Sequence, residues 1–129
     1  MRLLLDTHVL LWAALEPHLL SIKARDALED SANDLFVSAA SAWEIATKWR
    51  LGKLTHAASV VHNYPQVLNS LAATEIPIEG RIARQAGLLE VEHRDPFDRL
   101  LAAQAMGREL TLVSSDPAFR GFTGLALLN

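Results

Sequence analysis

Two short runs without a polar residue, Leu3-Leu4-Leu5 and Leu35-Phe36-Val37, constrain this chain more than any other feature. A strand with one face in water alternates apolar and polar side chains, so a strand that fails to alternate must be covered on both faces. Strands of this kind belong to parallel sheets packed between helices. The rest of the chain supplies the helices. Val9 to Leu15 reads as a first helix and Ser21 to Asp30 as a second. From Ser41 to about Leu51 the apolar positions Ala42, Ile45, Ala46 and Trp49 recur at i, i+3, i+4 and i+7, and this helix ends near Gly52. His56 to Ala73 is helical in composition but broken or kinked at Pro65; Thr74 to Ile78 is a weaker strand because Pro77 has no ladder donor.

Ile82, Ala83, Ala86 and Leu89 mark another helical face. Asp95-Pro96 then opens a helix with the acid as N-cap and proline at the first helical position, running to about Met106 and stopping at Gly107. Leu110 to Ser114 is a fourth strand and Leu125 to Leu128 a fifth at the edge. Strands alternating with helices predict an α/β sandwich with a mainly parallel sheet of four to five strands, one domain over residues 1–129. In such folds ligands bind beyond the carboxyl ends of the strands.

Composition removes several classes of function. Half of the residues are hydrophobic and 21% are charged, which excludes a disordered or coiled-coil chain. No apolar run reaches the roughly 18 to 20 residues that span a bilayer. The run after Met1 and Arg2 stops at Asp6, too short for a secretory signal, and there is no cysteine for a disulfide framework or a thiolate metal site. A cytoplasmic location is the expectation. A net charge of −3 argues against coating nucleic acid by bulk basicity. It leaves room for an enzyme that gathers carboxylates around a metal and keeps its few cations on the rim.

Four acids fall where such a site would lie. Asp6 ends the first strand and Asp116 lies just past the fourth, while Glu44 and Asp98 fall in what read as the first turns of two helices. Each has a plain structural reading. Asp6 can stop a strand and cap a helix, and Glu44 stands three residues after Ser41, the spacing of a capping box, with Lys48 one turn on. Asp98 suits a helix N-terminus, and Asp116 before Pro117 suits a turn. The functional reading rests on their convergence. Carboxylates crowded within about 4 to 6 Å raise one another's pKa, and a hard divalent cation with oxygen ligands, Mg²⁺ or Mn²⁺, relieves that repulsion. Bound at a phosphodiester, such an ion supplies the chemistry of hydrolysis.

Four segments, LLLDTHVLLW, SAWEIATKWRLGKL, HRDPFDRLLAAQA and TLVSSDPAF, occur in an order and spacing that resemble the VapC group of PIN-domain proteins, over nearly the whole chain. The resemblance implies a three-layer α/β/α sandwich and a metal-dependent endoribonuclease that acts as the toxin of a toxin–antitoxin pair. It also implies a VapB-type antitoxin as partner. Carried over residue by residue, it assigns the catalytic and metal-binding acids to Asp6, Glu44, Asp98 and Asp116, with Ser114 as a supporting hydroxyl and Asp95 as a structural acid. One departure is local. Many relatives carry Leu-Pro before the histidine, whereas this chain reads Leu89-Glu90-Val91-Glu92-His93, which predicts a shifted loop.

Other residues have two readings. Lys48, Arg50 and Lys53 form a basic cluster that is either solvated surface or a guide for RNA, and Arg99 is placed to bridge an acid or a phosphate. His8 and His93 read as packed residues or as substrate contacts. Trp12, Trp43 and Trp49 read as core or interface residues ahead of base-stacking platforms. The apolar helices Val9 to Leu15 and Leu100 to Ala105 predict a homodimer. Two alternatives stand beside the ribonuclease: a catalytically inactive module of the same fold, and another metal-dependent phosphohydrolase. The second lacks support, since Asp6-Thr7-His8 has no second acid of a DxD nucleophile motif.

Overall fold

A computed structural model describes all 129 residues. Five strands, β1 (Arg2–Leu5), β2 (Asp34–Ser38), β3 (Ala73–Ile76), β4 (Thr111–Val113) and β5 (Leu127–Leu128), form one sheet in the order β3-β2-β1-β4-β5. Every pairing is parallel. β1 is the central strand, with Leu3 to Leu5 opposite Leu35 to Val37 on one side and Thr111 to Val113 on the other.

Seven helices complete the fold: α1 (Thr7–Leu15), α2 (Ile22–Glu29), α3 (Ala39–Arg50), α4 (Ala58–His62), α5 (Tyr64–Ser70), α6 (Gly80–Leu88) and α7 (Pro96–Gly107). The period of two along the strands sorts them into layers. Leu3, Leu5, Leu35, Val37 and Val113 point into one core with residues of α1 to α5, such as Leu10, Ala24, Ile45, Val60 and Leu68. Leu4 and Leu112 point the other way, onto Leu101, Ala102 and Ala105 of α7 and onto Phe119 and Phe122. α6 packs on α7 through Ile82, Ala86 and Ala103. The result is the expected three-layer α/β/α sandwich.

The element boundaries follow local chemistry. Ser21 caps α2, its hydroxyl accepting from the Ala24 N–H, and Asp95 caps α7, accepting from the Phe97 and Asp98 N–H groups. Pro65 occupies the first turn of α5, and the helical stretch breaks just before it, between His62 and Tyr64. β3 stops at Ile76, one residue short of Pro77, whose carbonyl accepts from buried Gln104 of α7. Gly52, after the end of α3, takes a left-handed φ of 76°, which a glycine adopts without strain.

One expectation needs correction. α3 begins at Ala39, not Ser41, because Ser38 closes β2 and caps the helix at once through the Ala40 N–H, with no loop between. The apolar helices from which a homodimer was expected are covered only in part by the chain's own core. Val9, Leu10, Leu11, Leu101, Ala102, Ala103 and Ala105 are all buried in the chain's own core. Trp12, Ala13, Ala14, Leu15 and Leu100 of the same helices are half-buried.

Among the glycines the tightest approach is at Gly107, where an added Cβ would overlap Ile82 Cδ1. Ile82 is fully buried and has little room to yield. Gly107→Ala should therefore destabilise the protein by about 1–2 kcal/mol, the overpacking penalty outweighing the helix-propensity gain. In an Ile82→Val background, which removes Cδ1, the same change should become neutral or stabilising. Chemical denaturation of the four proteins of this double-mutant cycle checks the reversal of sign.

Candidate active site

The strand order sets where a site can form. Consecutive parallel strands run outward from β1 in opposite directions, β2 then β3 to one side and β4 then β5 to the other. The carboxyl ends of β1 and β4 therefore flank the switch point, where a crevice opens. Asp6 is the first residue beyond β1, its N–H still bonded to the Val113 carbonyl, and Ser114 is the first beyond β4. Ser114 Oγ donates to Asp6 Oδ2 at 2.7 Å and accepts from the Asp116 N–H at 3.1 Å.

Asp6 is 5% exposed and its carboxylate makes no capping hydrogen bond to α1. It occupies the N-cap position of α1, where its carbonyl accepts from the Leu10 N–H, while its carboxylate turns to Ser114. Glu44 is 3% exposed and sits in the second turn of α3. The capping-box reading fails as well: Ser41 Oγ is hydrogen-bonded to Thr7 Oγ1 at 2.9 Å. One carboxylate oxygen of Glu44 pairs with Lys48, and the other, Oε1, is buried without any partner. Asp98, on the first turn of α7, shares a hydrogen with His93 Nε2 at 2.8 Å. The imidazole is held by aromatic neighbours, with its centroid 6.2 Å from Phe119 in a stacked arrangement and 5.3 Å from Phe122.

Charge binds these groups into one cluster. Burial pushes the Asp98 carboxyl up to about 6; the His93 hydrogen bond opposes this, and the charges of Asp95, Asp6 and Glu44 add to it. Burial also raises Asp6, against the Ser114 hydroxyl and nearby His8, with Glu44 again adding to the rise. For Lys48, burial would lower the pKa, but the hydrogen bond and charge of Glu44, with Asp95 and Asp98 behind them, hold the ammonium above its ordinary value. Asp6, Glu44 and Asp98 are thus brought together from three separate segments. Asp116 stands at the rim, exposed, with Oδ1 accepting from the Ala118 N–H and its link to Asp6 running through Ser114.

The donor set suits a hard divalent cation: it is all oxygen, self-repelling, and contains an orphaned buried oxygen on Glu44. No three of the acidic or imidazole groups are arranged to grip an ion. Lys48 and His93 hold Glu44 and Asp98 instead. Two cations read as substrate contacts also have other tasks. Lys48 is half-buried against Glu44. Arg99 is a correction to its expected role, since all five of its guanidinium N–H donors go to main-chain carbonyls, those of Ala86, Gly87, Leu89, Val91 and His93. Arg50 is exposed. The partnership of His93 with Asp98 had no signal in the sequence, because their five-residue spacing crosses a helix cap and follows no helical period.

The sequence profile of the PIN domain matches residues 3–125. The chain belongs to the PIN-domain family. No functionally curated protein matches it significantly. Among solved structures it is similar to VapBC2 from Rickettsia felis bound to a DNA fragment from their promoter, with a TM-score of 0.72 and 20% identity over 100% of this chain and 98% of that one. DNA-bound VapBC from Salmonella typhimurium gives 0.70 and 16% over 99% and 97%. A toxin–antitoxin complex from Klebsiella pneumoniae gives 0.62 and 19% over 98% and 95%. At such identities the likeness carries the fold, and the PIN fold is the one built above.

The raised Asp98 carboxyl has a signed consequence for the metal-free protein. Below about pH 4 both folded and unfolded chains are protonated there and the penalty is absent; above about pH 6 the folded chain must hold the charge and the penalty is complete. Asp98→Asn should therefore stabilise the protein in chelator increasingly between pH 4 and pH 6.5, by on the order of 2 kcal/mol at the upper end. Thermal melting of both proteins across that range checks this, and a difference that stays flat would contradict it.

Proposed function

We propose that this PIN-domain protein is a divalent-metal-dependent endoribonuclease and the toxin of a toxin–antitoxin pair. The observation that carries the reading is the convergence of buried Asp6 and Glu44 with Asp98 at the carboxyl edge of a parallel sheet, with Glu44 Oε1 unpartnered. Asp6, Glu44 and Asp98 would hold Mg²⁺ or Mn²⁺, with Asp116 contributing from the rim and Ser114 fixing the Asp6 carboxylate. When bound, the ion supplies Lewis-acid stabilisation of the phosphorane charge and an activated water. The chain's own contribution is to gather and orient its carboxylates and to keep Lys48 beside them as a counter-charge. All of these groups come from one chain, so a second copy is not needed to complete the cluster.

The partner reading has its own support. The solved structures that share this fold include a toxin–antitoxin complex and VapBC assemblies. A VapB-type antitoxin would silence the enzyme most directly with an Arg or Lys paired to the same acids. The absence of a helix able to cross a membrane is compatible with action on RNA in the cytoplasm.

Five variants test the assignment together. Asp6→Asn and Asp98→Asn remove one ligand charge with little change of shape, and Mg²⁺- or Mn²⁺-dependent RNA cleavage should fall roughly 10²- to 10³-fold in each, with melting temperature kept or raised. Glu44→Gln should behave alike. Asp116→Asn keeps the Ala118 cap, so any loss isolates its charge at the site, and a loss of about tenfold or more is expected. Asp95→Asn should stay active, because asparagine also caps α7. Full activity in Asp6→Asn and Asp98→Asn, or cleavage that persists in excess chelator, would overturn the proposal.

A further inference from the structure

Trp43 is the aromatic side chain this fold leaves mostly in water, 57% exposed. Trp12 and Trp49 pack against the core on the α1 to α5 side, as expected of helical tryptophans. The Trp43 indole instead meets the ring of Phe97 at 70°, with centroids 4.7 Å apart. An edge-to-face contact of this kind covers at most one face of either ring and fixes its orientation. An aromatic face is therefore held in place and offered to solvent.

Its position is specific. Trp43 immediately precedes Glu44 on α3, and Phe97 immediately precedes Asp98 on α7. One residue along a helix is a rise of about 1.5 Å and a turn of about 100°. The aromatic pair therefore lies level with the two acids and beside them, bridging the same two helices. The next exposed positions along this face of α3 are the small Ala46 and the charged Arg50, so the large apolar surface on this face of the helix is the indole itself. An isolated, braced aromatic face next to a phosphodiester-binding site matches what an unpaired base presents, since every base has a π-face and stacks without regard to sequence. A duplex hides those faces.

We propose that Trp43, braced by Phe97, is a stacking platform for an unpaired base next to the scissile phosphate; this rests on the ribonuclease reading above. The platform can be tested apart from catalysis. The probe is a short unstructured 2′-O-methyl RNA oligonucleotide in Ca²⁺, with its duplex as control, and binding is read by fluorescence anisotropy for wild type, Trp43→Phe, Trp43→Leu and Trp43→Ala. Trp43→Leu and Trp43→Ala should weaken single-strand binding about tenfold, the equivalent of about 1.4 kcal/mol, while Trp43→Phe stays close to wild type and the duplex changes little. Melting curves confirm that each variant is folded. Equal affinity in all four proteins, or Leu as effective as Phe, overturns the platform. So does a Trp43→Ala variant whose oligomeric state changes while its oligonucleotide affinity does not, since that marks a protein interface. Trp43-dependent binding by a protein that cuts no RNA would uphold the platform and remove the catalytic reading alone.

Discussion

The register of β1 governs this structure, and it is fixed by the charged residues at its two ends. Leu3, Leu4 and Leu5 are each fully buried, and full burial of a leucine contributes roughly 1.5–3 kcal/mol. That contribution does not choose a register, because a slip by one residue exchanges one buried leucine for another on either face. What a slip cannot do is carry Asp6 into the sheet or Arg2 away from the rim. Arg2 lies over the Phe36 ring and donates to the Arg108 carbonyl, and Asp6 lies at the opposite edge beside Ser114. Unpaired burial of either charge would cost several kcal/mol. The same aspartate thus pins the central strand and supplies the first group of the acidic cluster.

The cluster is tolerated because each acid has a distinct local counterweight. Ser114 donates to Asp6, Lys48 pairs with Glu44, and His93 shares a hydrogen with Asp98. These do not remove the electrostatic strain, since burial still holds the Asp6 and Asp98 carboxyls above their ordinary range. A site balanced in this way is poised to exchange weak partners for a stronger one. A divalent ion, or a guanidinium from another protein, would find carboxylates already gathered and one buried oxygen already free.

Much of the fold was legible in the sequence because its signals are local. The non-alternating runs gave the covered parallel strands, Asp95-Pro96 gave the start of α7, and Pro65 gave the break before α5. The errors came where two local rules competed. Ser41 and Glu44 have capping-box spacing, yet Ser38 stands nearer to the strand and caps first, which leaves the Ser41 hydroxyl for Thr7. In the site, the acids could be found from strand and helix ends, whereas the partners of Asp98 and the exposure of Trp43 depend on how α7 and α3 pack. No spacing rule encodes that.

Arg99 shows how the loop before α7 can change its sequence without losing the site. The loop from Leu89 to His93 includes no proline to stiffen it, and its carbonyl groups, like those of the last turn of α6, must still be satisfied. The guanidinium does so from α7, and its planar fork reaches five carbonyls at once, a geometry that a lysine ammonium with three donors at one point does not reproduce. Two of those contacts, at Val91 and His93, lie two residues before and on the residue that meets Asp98. Arg99 and Asp98 are neighbours on one helix, so the anchor of the loop and the acid that the loop serves move as one body. The placement of His93 on Asp98 then follows from the helix and tolerates Glu90-Val91-Glu92 where a more rigid sequence was expected.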